Sequence, residues 1–145
     1  MSYKGKFKPK YPEKYRGNPT NIIYRSLWEF QFMRHLDLSS DVIQWSSEET
    51  IVPYRSPLDN KIHRYFPDFI YTQIIDNERK TYMVEIKPSI YTKEPKIKTK
   101  KTKRYLNEVK SYVVNLAKWK AAKAFCEKKG WNFYIKTEKG MYLYE

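Results

Sequence analysis

The sequence predicts an α/β domain, on three observations. Two strand-like runs, F-P-D-F-I-Y and T-Y-M-V-E-I-K-P, bracket the polar turn Asp76-Asn77-Glu78-Arg79, which is the pattern of a β-hairpin. Two longer segments, residues 22–38 and 102–129, carry apolar residues at helical spacing. Two short strand-like runs, residues 131–136 and 141–144, then close the chain around Glu138-Lys139-Gly140. At 145 residues, with 41% hydrophobic and 17% aromatic content, the chain can build one real core. No apolar run approaches the ~20 residues of a membrane span, and no apolar stretch follows the lysine-rich N-terminus, so neither a signal peptide nor an anchor is read. Cys126 stands alone in a helical pattern, as a small buried hydrophobe suited to a reducing cytoplasm.

In chain order, residues 1–20 mix Lys4, Lys6, Lys8, Lys10, Lys14 and Arg16 with prolines and glycines. With no apolar period, this segment is expected to be an extended basic arm lying over the domain or along DNA, and residues 21–145 form the domain proper. Asn18 or Thr20 can cap a helix over residues 22–38. On a helical wheel Ile22, Ile23, Leu27, Phe30, Met33 and Leu36 form the apolar stripe, and Glu29 falls on it. A carboxylate there needs a positive partner, either a metal ion at the sheet or a salt bridge to Arg25 or Arg34. A first strand then ends at Tyr54 or Arg55, and a turn at residues 56–60 leads into a second strand over residues 62–72, which carries Asp68. The third strand bears Glu85-Ile86-Lys87. Pro88 and Pro95 keep the following segment from becoming helical at once, so a long basic loop precedes the helix of residues 102–129, with Gly130 as its C′ residue.

Side chains alternate along a strand, so Glu85 and Lys87 share one face while Val84 and Ile86 share the apolar one. Asp68 on the neighbouring arm completes a trio of two carboxylates and an ammonium. That trio suits phosphodiester hydrolysis: Asp68 and Glu85 are hard oxygen ligands for Mg²⁺, with positions left for water and phosphate oxygens, and Lys87 can orient or activate the water. Taken alone, the same trio also fits an exposed hairpin with solvated charges. Glu48 and His63 are accessory candidates at the same patch, against a solvated strand edge as the plainer reading.

The net charge of +13, from 29 Lys+Arg against 16 Asp+Glu, points to a polyanionic partner. It is concentrated between residues 87 and 104, where Lys87, Lys93, Lys96, Lys98, Lys100, Lys101, Lys103 and Arg104 face the single acid Glu94. A loop of this length and charge beside the trio reads as a DNA-gripping element. Asn115 and Lys118, facing one way with Trp119 at helical spacing, are further candidates for contact with the scissile strand.

The order of helix, three strands, helix and two strands, with Pro67-Asp68 and Glu85-Ile86-Lys87, resembles the PD-(D/E)XK nuclease superfamily. Within it, S-L-W-E-F and H-R-Y-F-P-D-F…V-E-I-K-P resemble the transposon endonuclease TnsA. The longer run Y-R-S-L-W-E…W-S-S-E-E…P-Y…H-R-Y-F-P-D-F…V-E-I-K-P…N-L-A-K-W-K-A-A…G-W-N-F is similar to the head-completion nucleases of large contractile-tailed phages, over about residues 24–138. The resemblance implies a restriction-endonuclease-like core with a central mixed β-sheet flanked by helices. It implies catalytic roles for Glu29, Asp68, Glu85 and Lys87, and Mg²⁺ (or Mn²⁺) held by Asp68, Glu85, Glu29 and the Ile86 carbonyl. It further implies action on double-stranded DNA alongside phage head and neck proteins, in the host cytoplasm during assembly or in the virion, as a monomer or a homo-oligomer. The competing readings are a DNA-end-binding neck protein with a silent site and a TnsA-like transposition endonuclease.

Overall fold

Residues 66–88 fold as the expected hairpin, in a computed structural model that describes residues 4–143, with side chains to residue 140. Strand β1 (Gly5–Phe7) and β2 (Ile22–Tyr24) precede helix α1 (Leu27–Leu38). Next come β3 (Val42–Ser47), β4 (Val52–Arg55), β5 (Ile62–Tyr65), β6 (Phe69–Ile75) and β7 (Glu78–Ile86). A 3-10 turn (Ser89–Thr92), helix α2 (Lys103–Lys129), β8 (Asn132–Thr137) and β9 (Gly140–Leu143) follow. The β6–β7 turn is tighter than the four residues expected. Ile75 pairs with Glu78, and Asp76 and Asn77 alone turn the chain with φ of 54° and 64°, the left-handed pair that matches the twist of a two-residue hairpin.

The main sheet runs β3-β6-β7-β8-β9, with β7 and β8 parallel and the other pairs antiparallel. The parallel pair requires a crossover, and α2 supplies it. Both faces of β7 are covered. Val84 packs with Phe69, Tyr71, Trp45 and the Phe32, Met33 and Leu36 face of α1. Met83, on the opposite face, packs with Phe133 and Ile135, with Trp119, Ala122 and Cys126 of α2, and with Val52, Tyr54 and Tyr65. The central strand is thus held from two sides, and burial pushes the Cys126 thiol up to about 12, as befits a packing residue.

Three expectations are corrected. Residues 22–24 are not helical: they form β2 against β1, and α1 starts at Leu27 behind an N-cap at Ser26, not Asn18 or Thr20. The long second strand breaks at Phe66-Pro67-Asp68, because Pro67 has no N–H with which to continue a ladder. Its first part, β5, pairs with β4 in a separate two-stranded sheet. Trp119 does not stand with Asn115 and Lys118 on a DNA-facing surface but is 1% exposed in the α2 core. The bounds of α2 follow the sequence: the Thr102 hydroxyl accepts the Tyr105 N–H at 3.1 Å, and Gly130 closes the helix at φ 73°.

The basic segment of residues 4–20 lies over the domain. Phe7 and Tyr15 enter the core beside Trp45. The buried Asp37 carboxylate accepts the N–H groups of Lys10 and Tyr11 at 2.7 and 3.0 Å. The Lys14 ammonium donates to the carbonyls of Leu36, Asp37 and Ser39, which satisfies backbone acceptors that the end of α1 leaves open.

Candidate active site

The break at Pro67 builds the site. The last ladder pair of the hairpin is Phe69 with Val84, so Asp68 and Glu85 stand opposite each other just beyond it. Beyond the break the regular ladder ends, and the Ile86 N–H donates to the Asp68 carboxylate, Oδ2 accepting at 2.8 Å. Glu85, only 8% exposed, accepts the Tyr65 hydroxyl on Oε1 at 2.7 Å and has the Lys87 ammonium 3.7 Å from Oε2. Asp68, Glu85 and Lys87 are therefore gathered at one end of the central hairpin. Burial and then the neighbouring Glu85 push the Asp68 carboxyl well above the usual range, while the Ile86 N–H and Lys87 pull the other way. Burial, Glu85 and the shared hydrogen bond likewise raise the Tyr65 hydroxyl, which remains a neutral donor.

Glu29 sits outside this pair. It is the N3 residue of a capping box, Ser26-Leu27-Trp28-Glu29. The Ser26 hydroxyl accepts the Glu29 N–H at 3.1 Å, and Glu29 Oε1 reaches back to the Arg25 N–H at 3.2 Å. The alternative read for Glu29, a salt bridge to Arg25 or Arg34, gives way to that backbone contact, and the Arg25 guanidinium binds Glu48 at 3.2 Å. Burial raises the Glu29 carboxyl, with Glu48 and Glu85 adding to the rise and Arg25 opposing it. Glu48 is tied to the inner pair through its backbone, donating its N–H to the Asp68 carbonyl at 3.2 Å, and it holds a left-handed φ of 54°, uncommon for a residue with a side chain. The acids thus form an inner pair, Asp68 and Glu85, and an outer pair, Glu29 and Glu48.

Other candidates lie elsewhere. His63 is not at the acids: its imidazole meets Asp59 at 2.7 Å by the β4–β5 turn, alongside the Tyr54 ring. Lys118 stands over the rings of Tyr54 and Tyr65 at 5.9 and 5.6 Å, one residue removed from Glu85. Lys96, Lys98, Lys100 and Lys101 are exposed on the basic connection, and Lys98 and Lys101 approach the Tyr105 ring. Lys93, Lys103, Arg104 and Asn115 line a cavity between that connection and α2. Sequence reasoning missed Tyr65, which the bend at Pro67 swings onto Glu85. No sequence spacing gives that contact, whereas the S-x-x-E capping box around Glu29 was open to reading.

Among the described residues, no three His, Cys, Asp or Glu side chains gather closely enough to hold a metal by themselves. The inner pair nevertheless fits a hard divalent cation. Two carboxylates, one strongly resisting ionisation beside the other, are relieved by a positive ion, and Mg²⁺ ordinarily takes one or two carboxylates and fills its shell with water and phosphate oxygens.

The TnsA-like endonuclease N-terminal family matches residues 39–138, which span β3 through β8 and all of the inner pair. The chain belongs to this endonuclease family. The family assignment accounts for the central mixed sheet flanked by two helices, which is consistent with the PD-(D/E)XK-like fold. The chain is also similar to the head completion nuclease of Enterobacteria phage T4, 40% identical over 145 residues, an alignment that covers 97% of this chain and 95% of the relative. No solved structure matches.

Proposed function

We propose that this TnsA-like endonuclease is a divalent-metal-dependent deoxyribonuclease acting in phage head completion, where it processes packaged DNA before heads join tails. The gathering of Asp68, Glu85 and Lys87 at one end of the β6–β7 hairpin is the observation that carries the reading. The T4 relative's name supplies the biological setting. Asp68 and Glu85 would hold Mg²⁺, with Mn²⁺ able to substitute. The Ile86 carbonyl supports them, because N–H and C=O of a strand residue leave on the same side and the Ile86 N–H is directed at Asp68. Bound there, the ion would lower the pKa of a water and offset phosphate charge.

The protein's own groups prepare the rest. Tyr65 fixes one oxygen of Glu85, so that carboxylate cannot rotate freely. Lys87 stands beside the other oxygen, placed to orient the attacking water and to meet charge developing on phosphorus. Glu29 and Glu48 hold a second carboxylate group behind Asp68, which raises the local demand for a cation. Duplex DNA would be gripped by the exposed lysines of the basic connection and by Lys118. The reaction takes place in the host during assembly, and association with the virion and with head or neck proteins belongs to the same proposal. No helix among the described residues is long and apolar enough to cross a membrane.

Covalently closed circular DNA and end-labelled linear DNA, each incubated with Mg²⁺, with Mn²⁺ and with a chelator, test this. Metal-dependent opening of circles is expected, and release of terminal label would add exonuclease action. Tight binding without cleavage under every metal condition would instead favour a DNA-end-binding neck protein with a silent site.

A further inference from the structure

The chain leaves the site at Lys87-Pro88 and at once turns through Ser89–Thr92 against the first half of α2. Between the two lies a cavity of about 640 Å³, the size of an ordinary ligand site. Its walls combine three chemistries. Tyr91 and Tyr112 supply aromatic rings, with Ile90 beside them. Ile90 is 72% and Tyr91 54% exposed, an unusual outlay of apolar surface next to a cutting site. Lys93, Lys103 and Arg104 supply cations, and the one acid in the wall, Glu108, is already engaged by Arg104 at 3.5 Å. Asn107, Ser111 and Asn115, spaced by four along α2, place hydrogen-bonding groups down one side.

A duplex makes poor use of such a cavity. It presents phosphates to a protein surface, and the exposed lysines of residues 96–101 suffice for those, whereas its bases are stacked and closed to aromatic side chains. An unpaired strand presents phosphates and free base faces together, which is what a channel of cations interleaved with tyrosines binds. We infer that this cavity is a stacking groove for an unpaired DNA strand that leaves the Asp68–Glu85 site, so the preferred substrate carries a single-stranded segment beside the scissile bond. The inference rests on the nuclease reading for its biological meaning, but its test does not.

In chelator, so that nothing is cut, binding of a labelled oligothymidylate of roughly 15 nucleotides is compared with that of a duplex of equal length. Tyr91→Ala and Tyr112→Ala are each expected to weaken the single strand roughly 5- to 150-fold, which is the value of one base stacked on an aromatic ring, and to leave duplex binding within twofold. Tyr112 is half-buried, so Tyr112→Leu, which keeps an apolar side chain but offers no ring, should show the same selective loss with an unchanged melting temperature. Equal loss on both DNA forms, or no loss on the single strand, overturns the groove. Cleavage of circular duplex by wild-type protein and by Tyr91→Ala is measured in parallel. Selective loss of binding in a protein that never cuts would sink the nuclease reading alone, and normal cutting with unaltered single-strand binding would sink the groove alone.

Discussion

The β6–β7 hairpin and the basic connection after it are neighbours in sequence and opposites in physics. The half of the hairpin that carries the acids is buried on both faces and holds them at fixed hydrogen bonds. The connection, residues 87–102, has one short 3-10 turn, and Lys96, Lys98, Lys100 and Lys101 on it are exposed. Chemistry on a phosphodiester needs groups held to within a fraction of an ångström, and a packed central strand provides that. Grip on a polyanion needs only charge within reach, and an exposed segment provides it at little cost in stability. The division predicts that damage to each region is felt in a different measurement.

Hairpin substitutions should give the largest effect. Asp68→Asn and Glu85→Gln keep the shape but each removes a ligand charge, and cleavage should fall by orders of magnitude while DNA affinity in chelator is retained. Glu29→Gln, in the outer pair, should lose less, and extra Mg²⁺ or Mn²⁺ should recover part of it because a weakened site still fills by mass action. Near-normal turnover by Asp68→Asn at saturating Mg²⁺ would break the comparison outright. If Glu29→Gln costs only a few tenths of a kcal/mol of stability and no activity, Glu29 is a capping residue and nothing more.

The complementary change is smaller and of another kind. Replacing Lys96, Lys98, Lys100 and Lys101 together by Gln should weaken duplex binding and flatten its dependence on salt by up to about 0.9 log unit per lost phosphate contact. Turnover of fully bound DNA should move much less. A salt titration in which the slope is unaltered would take the connection off the DNA path and direct attention to the lysines of residues 4–10.

How much of this was legible in the sequence depended on whether the cause was local. Alternation along a strand is local, and it assigned Glu85 and Lys87 to one face and Val84 and Ile86 to the other before any pairing was known. The caps of α2 are local too, at Thr102 and Gly130. The basic segment at the N-terminus was not legible, because Phe7 and Tyr15 are isolated apolar residues that reach the core only through Asp37 and Lys14 contacts more than twenty residues away in sequence. Tyr65 was hidden for the same reason: its partner Glu85 is twenty residues distant, across a proline bend. The wheel did find Glu29 on the inner side of α1 although the helix starts five residues later than expected, because a phase set by Phe30, Met33 and Leu36 survives the loss of the first turn. Trp119 was misplaced because the two halves of α2 face different surroundings, the first half bordering the open cavity and the second the core.

The smallest expected effect separates the two regions without any cutting. Asp68 has a folded-state pKa well above its ordinary 3.8, so its protonated form is the one that fits the metal-free fold. The stabilising contribution of such a group is complete below the unfolded pKa and is lost as pH rises through the raised folded value. As pH rises, the metal-free wild-type protein therefore loses this contribution, because ionising the buried Asp68 carboxyl beside Glu85 is costly. Asn at this position removes the charge and can still accept the Ile86 N–H. Asp68→Asn should thus melt above wild type in chelator at pH 8, by roughly 2–4 °C for each kcal/mol relieved in a chain of this size, and the gap should close as pH falls towards 4. Mg²⁺ should raise the melting temperature of wild type and not that of the variant. The Lys96, Lys98, Lys100 and Lys101 variant, whose charges lie in solvent, should show no such crossing, and a pH-dependent gap of equal size there would mean that overall charge, not the hairpin pair, sets the stability.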